Sequence, residues 1–267
     1  MNTDLRFGTW NIKTMNNKEE EVIEEMKRYK MSILGLSEVK KKGQGEKNIK
    51  DKYTLRYSGI TEGRAKQGVA FITNEEMEKY VIKWEPISPR IITITLKFEH
   101  ILTLIQIYAP TTSEEILEIE QFYNLLNEVT TKETNKGHQL IIMGDWNSRI
   151  GKDPRKGHGV MGIHGGEAMR NENGKKMIQF CISHRLLIGN TFYPHKNIHK
   201  ITFQSESTGS KSIIDYMTYT NEMRYHIMDV KVYRGAELST DHFLLTLKYR
   251  TRLYHKKNKT QKLRSNN

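Results

Sequence analysis

Short apolar runs alternate along the chain with stretches of helical periodicity. Residues 5–11 read as a strand that ends in a polar turn, and residues 33–36 as a buried strand that ends at Ser37-Glu38. Residues 68–72 form another continuous apolar run. Residues 91–98 alternate, with Ile92, Ile94 and Leu96 on one face and Thr93, Thr95 and Lys97 on the other. Residues 102–108 follow as the expected hairpin partner. A strand over 140–143 runs into Gly144-Asp145, and 213–219, 230–233 and 243–249 predict the last three strands. Helical spacing covers 19–29, where Val22, Ile23 and Met26 face inward, and also 114–130 and 177–184. Residues 40–51, dense in Lys, Gly and Glu, predict an exposed loop, and so do the glycines and cations of 151–166. The pattern predicts an α+β fold in which two mixed sheets pack face to face with helices outside.

Composition narrows what such a fold is for. A chain of 267 residues can bury one sizeable core without covalent staples. Its one cysteine, Cys181, permits no intrachain disulfide and no cysteine-based zinc cage, and reads as core packing. No apolar run has bilayer length, and residues 1–7 lack an apolar signal core, so an intracellular rather than a secreted protein is expected. The net charge of +12 is concentrated: residues 248–267 hold eight Lys or Arg and no acid, which leaves about +4 elsewhere. A basic tail is either a solvated end or an arm that holds phosphates, and the balance favours a polyanionic partner. We expect a globular domain over residues 1–249 and a disordered basic tail over 250–267, with Lys256 and Lys257 available to nucleic acid.

Several expected strands end in a residue that can do chemistry. Asn11 follows one strand, Glu38 another, and Tyr108 ends a third. Asp145 and Asn147 follow a fourth, and Asp241-His242 precedes the last. Each has an ordinary reading as a turn former, a cap or a solvated strand end. Together at one sheet rim they would supply three carboxylates, two amides, a phenol and an imidazole. Phosphodiester hydrolysis uses such a set. Hard oxygen donors hold Mg²⁺, a carboxylate orients or deprotonates a water, and neutral donors with an imidazolium stabilise the oxyanion.

The ordered series Thr9-Trp10-Asn11-Ile12, Leu36-Ser37-Glu38, Gly68-Val69-Ala70-Phe71, Ile107-Tyr108-Ala109-Pro110-Thr111, Gly144-Asp145-Trp146-Asn147, Ile214-Asp215-Tyr216 and Thr240-Asp241-His242 resembles the endonuclease/exonuclease/phosphatase superfamily. Thr9 to Met15 and Ile188-Gly189-Asn190-Thr191-Phe192 are further similar to endonuclease domains of RTE-type non-long-terminal-repeat retrotransposons and to craniofacial-development-protein-2-like proteins. The resemblance implies a four-layer, deoxyribonuclease-I-like sandwich. It implies a nuclear, monomeric, Mg²⁺-dependent endonuclease that nicks DNA, with Mn²⁺ able to substitute. It also implies a reverse transcriptase domain of a parent retroelement as partner. By motif, Glu38 would be the main metal ligand, with Asn11 and Asp241 beside it. Asp145 would orient the attacking water, Asn147 and Tyr108 would hold the phosphate, and His242 would pair with Asp215. Lys13 and Arg149 are expected to contact nucleic acid. Apurinic-site endonucleases of this fold carry an aspartate where Lys13 stands. The lysine removes one candidate for a second metal ligand and could contact phosphate instead. The alternatives are an inositol-polyphosphate or lipid phosphodiesterase, for which the segment Ser212-Ile213-Ile214-Asp215-Tyr216 is a poor match, and an inactive descendant that only binds DNA or protein.

Overall fold

The computed structural model describes residues 2–50 and 52–253. Its strands, in chain order, are β1 (Asn2–Asn11), β2 (Ile33–Ser37), β3 (Gln44–Ile49), β4 (Tyr53–Ser58), β5 (Val69–Asn74), β6 (Val81–Ser88), β7 (Ile91–Lys97), β8 (Ile101–Tyr108), β9 (Gln139–Asp145), β10 (Leu186–Ile188), β11 (Phe203–Gln204), β12 (Lys211–Ser212), β13 (Asp215–Thr220), β14 (Ile227–Tyr233) and β15 (Leu244–Arg252). The helices are α1 (Glu19–Arg28), α2 (Glu75–Glu78), α3 (Ile116–Asn135) and α4 (Glu172–Ser183). One sheet runs β14-β15-β1-β2-β5-β4-β3 and the other β10-β13-β9-β8-β7-β6, and β11 and β12 form a small separate ribbon.

The central strands are buried on both faces, and residue parity decides which layer each side chain joins. Phe7, Ile33, Phe71, Ile92, Ile94, Leu104, Met143 and Leu247 pack between the sheets. Trp10, Ile12, Leu34, Leu36 and Ile72 point the other way and meet Val22, Ile23 and Met26 of α1. Ile105, Ile107 and Ile142 meet Phe122 and Leu126 of α3 and Met177 and Phe180 of α4. Three apolar interfaces therefore separate four layers, as the α+β expectation required. Each fully buried side chain of this kind contributes about 1.5–3 kcal/mol.

Two expectations are corrected. The segment 40–51 is not all loop, because Gln44–Ile49 forms β3, paired along its length with β4. Its polar side chains are mostly exposed, and a charged edge strand resists pairing with other chains. The last strand also runs three residues past the expected boundary at 249. Arg250 and Arg252 belong to β15 opposite β1, and the Arg250 guanidinium pairs with Asp4 at 2.7 Å. The expected tail beyond residue 253, including Lys256 and Lys257, lies outside the described residues.

Candidate active site

Strand direction gathers the chemistry at one end of the sandwich. β1 and β2 are parallel and end in register at Asn11 and Ser37, one residue before Glu38. In the other sheet β8 and β9 are parallel and end in register at Tyr108 and Asp145. β13 is antiparallel to β9 and begins opposite that end, with Asp215 the register partner of Asp145. Asp241 and His242 enter from the loop before β15. Glu38, Tyr108, Asp145, Asn147, Asp241 and His242 line one cleft of about 700 Å³, with Lys13 and Arg149 at its wall.

Two glycines permit the close approach of backbone that this geometry needs. At Gly144 φ is +145°, and a Cβ would lie 2.1 Å from the Ile107 carbonyl oxygen. At Gly35 a Cβ would lie 2.0 Å from Gln106 Oε1. Gln106 anchors a buried polar chain between the sheets: it accepts from Thr9 Oγ1 at 3.0 Å and donates to Ser37 Oγ at 2.9 Å. Ser37 in turn donates to the Ile107 carbonyl at 2.9 Å. This chain fixes the two sets of strand ends relative to each other. Lys13, Glu38, Lys40 and Asn147, all at the cleft, have φ between 46° and 59°. Left-handed backbone at non-glycine residues costs of order 1–3 kcal/mol each and concentrates where side-chain aim matters.

Asn11 bridges the carboxylates, its amide donating to Glu38 Oε1 at 2.8 Å and to Asp145 Oδ2 at 3.1 Å. Asn147 is held by its own N–H to Asp145 Oδ1 at 2.9 Å and by its amide to the Ala109 carbonyl at 2.8 Å. His242 Nδ1 lies 2.9 Å from Asp215 Oδ2, and Nε2 lies 3.9 Å from Asp145 Oδ2. Trp10 Nε1 donates to the His242 carbonyl at 2.9 Å, and Phe203 packs edge-on against the imidazole.

Electrostatics separates the roles of these groups. Burial, then the charge of Asp215, pushes the Asp145 carboxyl up to about 7. Burial alone would depress the His242 imidazole, but the charge and hydrogen bond of Asp215 overcome it and raise the group to about 9. Burial and the charges of Glu38 and Asp145 push the Tyr108 phenol well above its ordinary range, so it stays protonated and able to donate. Arg90 stacks over the Tyr108 ring, 5.1 Å from its centre.

The carboxylates fall into two sets. Asp145, Asp215 and His242 are all buried, and their ligand atoms lie within 4.8 Å of one another. The imidazole already stands between the two carboxylates, hydrogen-bonded to Asp215 and 3.9 Å from Asp145, and so occupies the place a cation would take. Glu38 and Asp241 are partly exposed, and each faces an ammonium: Lys40 at 3.2 Å and Lys13 at 3.0 Å. These two carboxylates call for positive charge, and their all-oxygen chemistry fits a hard divalent cation. Asn11 Oδ1 accepts from the Lys13 N–H at 3.0 Å, so in this structure Asn11 positions the carboxylates around it.

A sequence profile described as the endonuclease/exonuclease/phosphatase family matches residues 8–246. The chain belongs to the endonuclease/exonuclease/phosphatase family. Craniofacial development protein 2 of Bos taurus is 35% identical over 251 residues, a match spanning 92% of this chain and 41% of that protein. Among solved structures, the catalytic domain of Xenopus laevis APE2 aligns with a TM-score of 0.74 at 16% identity, over 95% of this chain and 94% of that one. The endonuclease domain of TRAS1, a telomere-specific non-LTR retrotransposon, gives 0.65 at 18%, over 94% and 99%. The 3' phosphatase NExo from Neisseria, bound to a product DNA hairpin, gives 0.69 at 18%, over 92% and 99%. The two-sheet sandwich of this family is the fold described above.

The structure brings together Asn11, Glu38, Tyr108, Asp145, Asn147, Asp215, Asp241 and His242. Arg149 reaches the cleft wall, where its guanidinium donates to Ser212 Oγ at 2.6 Å. The Lys13 ammonium sits on Asp241 and on Glu206 at 3.4 Å. Sequence reading missed Gln106, Phe203, Arg90 and Lys40, and named Thr9 and Trp10 only as members of a motif, with no role for either. The one signal for Gln106 was a polar residue on the apolar face of an otherwise aliphatic strand.

Proposed function

We propose that the protein is a divalent-metal-dependent phosphodiesterase that nicks DNA. The observation that carries this reading is the convergence, in one cleft, of a buried carboxylate titrating near neutrality with a carboxylate-held imidazole and two partly exposed carboxylates. Glu38 and Asp241 would hold Mg²⁺ or Mn²⁺, with Asn11 beside them. When bound, the ion would polarise a phosphoryl oxygen and offset developing charge.

The other steps belong to this chain's residues. Asp145, which ionises as pH rises through about 7, orients a water and takes its proton. Asn147 and the protonated Tyr108 donate to the phosphate. The His242 imidazolium, held by Asp215, faces the oxyanion as charge develops. DNA is the favoured substrate because TRAS1 is a retrotransposon endonuclease domain and NExo holds a DNA hairpin, while this chain carries net +12. In this reading the protein acts in the nucleus as a monomer, and a reverse transcriptase domain of a parent retroelement would use the nick.

Incubation of supercoiled plasmid with the protein and Mg²⁺ should yield nicked circles. Intact plasmid with Mg²⁺ and with Mn²⁺, combined with phosphate release from inositol polyphosphates, would overturn the DNA reading.

A further inference from the structure

The connection between β9 and α4 builds a second cavity beside the cleft. It encloses about 390 Å³ and is lined by Lys152, Lys156, Arg170 and Lys175, with Asp153 the one acid among the described residues of its wall. Asp153 is occupied: its carboxylate accepts from the Arg155 N–H and guanidinium, each at 3.1 Å, and caps the short turn Pro154–Gly157. Lys175 has Glu172 at 2.7 Å. Lys152 and Lys156 are exposed and, among the described residues, pair with no carboxylate.

This long loop is held by its own backbone. Arg170 bridges to Ile150, and its guanidinium donates to the carbonyls of Ile150 at 2.7 Å and Lys156 at 3.5 Å. Gly166, at φ +88°, packs so closely that a Cβ would lie 1.8 Å from the Gly151 oxygen. Asn171 caps α4 and also accepts from the Arg149 N–H at 2.9 Å. The cations are therefore presented on a fixed frame, and an anion bound there does not have to order the loop first.

Position identifies the anion. Arg149 and Asn171 line the catalytic cleft, while Gly151 and Arg170 line the cationic hollow. Two residues of chain span at most about 7 Å, and one strand of duplex DNA advances about 3.4 Å per nucleotide. A strand whose reacting phosphate lies in the cleft thus reaches the hollow within a few nucleotides.

We propose that Lys152, Lys156 and Arg170 form a second phosphate site, which grips the substrate backbone about two to four nucleotides from the scissile bond. The inference rests on the reading of nucleic acid as substrate. Its test is binding rather than cleavage: anisotropy of a fluorescein-labelled duplex in chelator, titrated with KCl. Lys152→Ala/Lys156→Ala should flatten the slope of log affinity against log salt by about 1.8, at about 0.9 per lost phosphate contact. Lys152→Glu/Lys156→Glu should weaken binding further, and circular dichroism melting would confirm that both variants fold. Lys79→Ala/Lys97→Ala, at the opposite end of the β7–β8 hairpin, should leave the slope unchanged.

An unchanged slope in Lys152→Ala/Lys156→Ala, or an equal loss in the distant pair, would overturn the site. So would inorganic phosphate binding that the substitutions abolish while the duplex slopes stay identical, which would mark a pocket for a free anion. Failure of the nuclease reading is separable. A wild type that leaves plasmid intact, but binds duplex with a salt slope that Lys152→Ala/Lys156→Ala flattens, refutes the enzyme and keeps the site.

Discussion

Asp215 Oδ2 accepts the Nδ1–H of His242 across 2.9 Å, with both side chains buried. Because Asp215 is also the register partner of Asp145, one strand pairing sets the position of the imidazole and of the carboxylate it faces. A one-residue slip of β13 would turn Asp215 to the opposite face and lose both relationships at once. The site is a property of sheet register as much as of its residues.

Glu38 and Asp241 carry the expected metal dependence. Nicking should stop in excess chelator and return with Mg²⁺ or Mn²⁺. Glu38→Gln removes the charge and keeps the shape, so it should raise the metal concentration needed for half-maximal rate at least tenfold. Metal binding by calorimetry should fall in parallel. Full activity in chelator would refute the assignment.

The rate should form a plateau in pH. Asp145 must be ionised to take a proton, so the rate rises as pH passes about 7. His242 must keep its proton, so the rate falls as pH passes about 9. Single-turnover nicking from pH 5 to 10 reads both limbs. A flat profile across pH 6–8 would exclude Asp145 as the base.

Gly35→Ala should destabilise the fold without touching the cleft directly. The new Cβ would collide with Gln106 Oε1 and break the bonds to Thr9 and Ser37 that tie the sheets together. Overpacking of this kind costs typically about 1–3 kcal/mol, readable as a lower urea midpoint at an unchanged m-value. A midpoint equal to wild type would mean that Gln106 has room to move.

Much of this was legible in sequence because catalytic-type residues stand where apolar runs stop. Asn11, Glu38, Tyr108 and Asp145 each end such a run. The relative placement of the two sheets was not legible, because it depends on the bond between Gln106 and Thr9, and nothing in the sequence says which polar residue of one sheet meets which of the other. β4 and β6 mix charge with apolar residues and show no clean period, so they were missed. α4 begins at Glu172, earlier than its apolar spacing suggests, because Asn173 and Gly174 are poor helix formers and Asn171 caps the turn.

The Asp215–His242 pair gives the sharpest test. Loss of one strong transition-state donor costs roughly a hundred- to a thousandfold, and loss of a general base roughly a hundred- to ten-thousandfold. His242→Ala and Asp145→Ala should therefore each lower the single-turnover rate by about a hundredfold or more. Asp215 acts through His242, so Asp215→Asn should cost less, and adding it to His242→Ala should cost little more, since residues that work as a unit are not additive. The pH profile separates positioning from mere packing. The Asp215 charge raises both Asp145 and His242. Removing it should therefore move both limbs of the Asp215→Asn profile to lower pH, the rise to below 7 and the fall to below 9. A profile scaled down with its limbs in place, together with additive losses in the double variant, would show that Asp215 supports the strand and does not tune the imidazole.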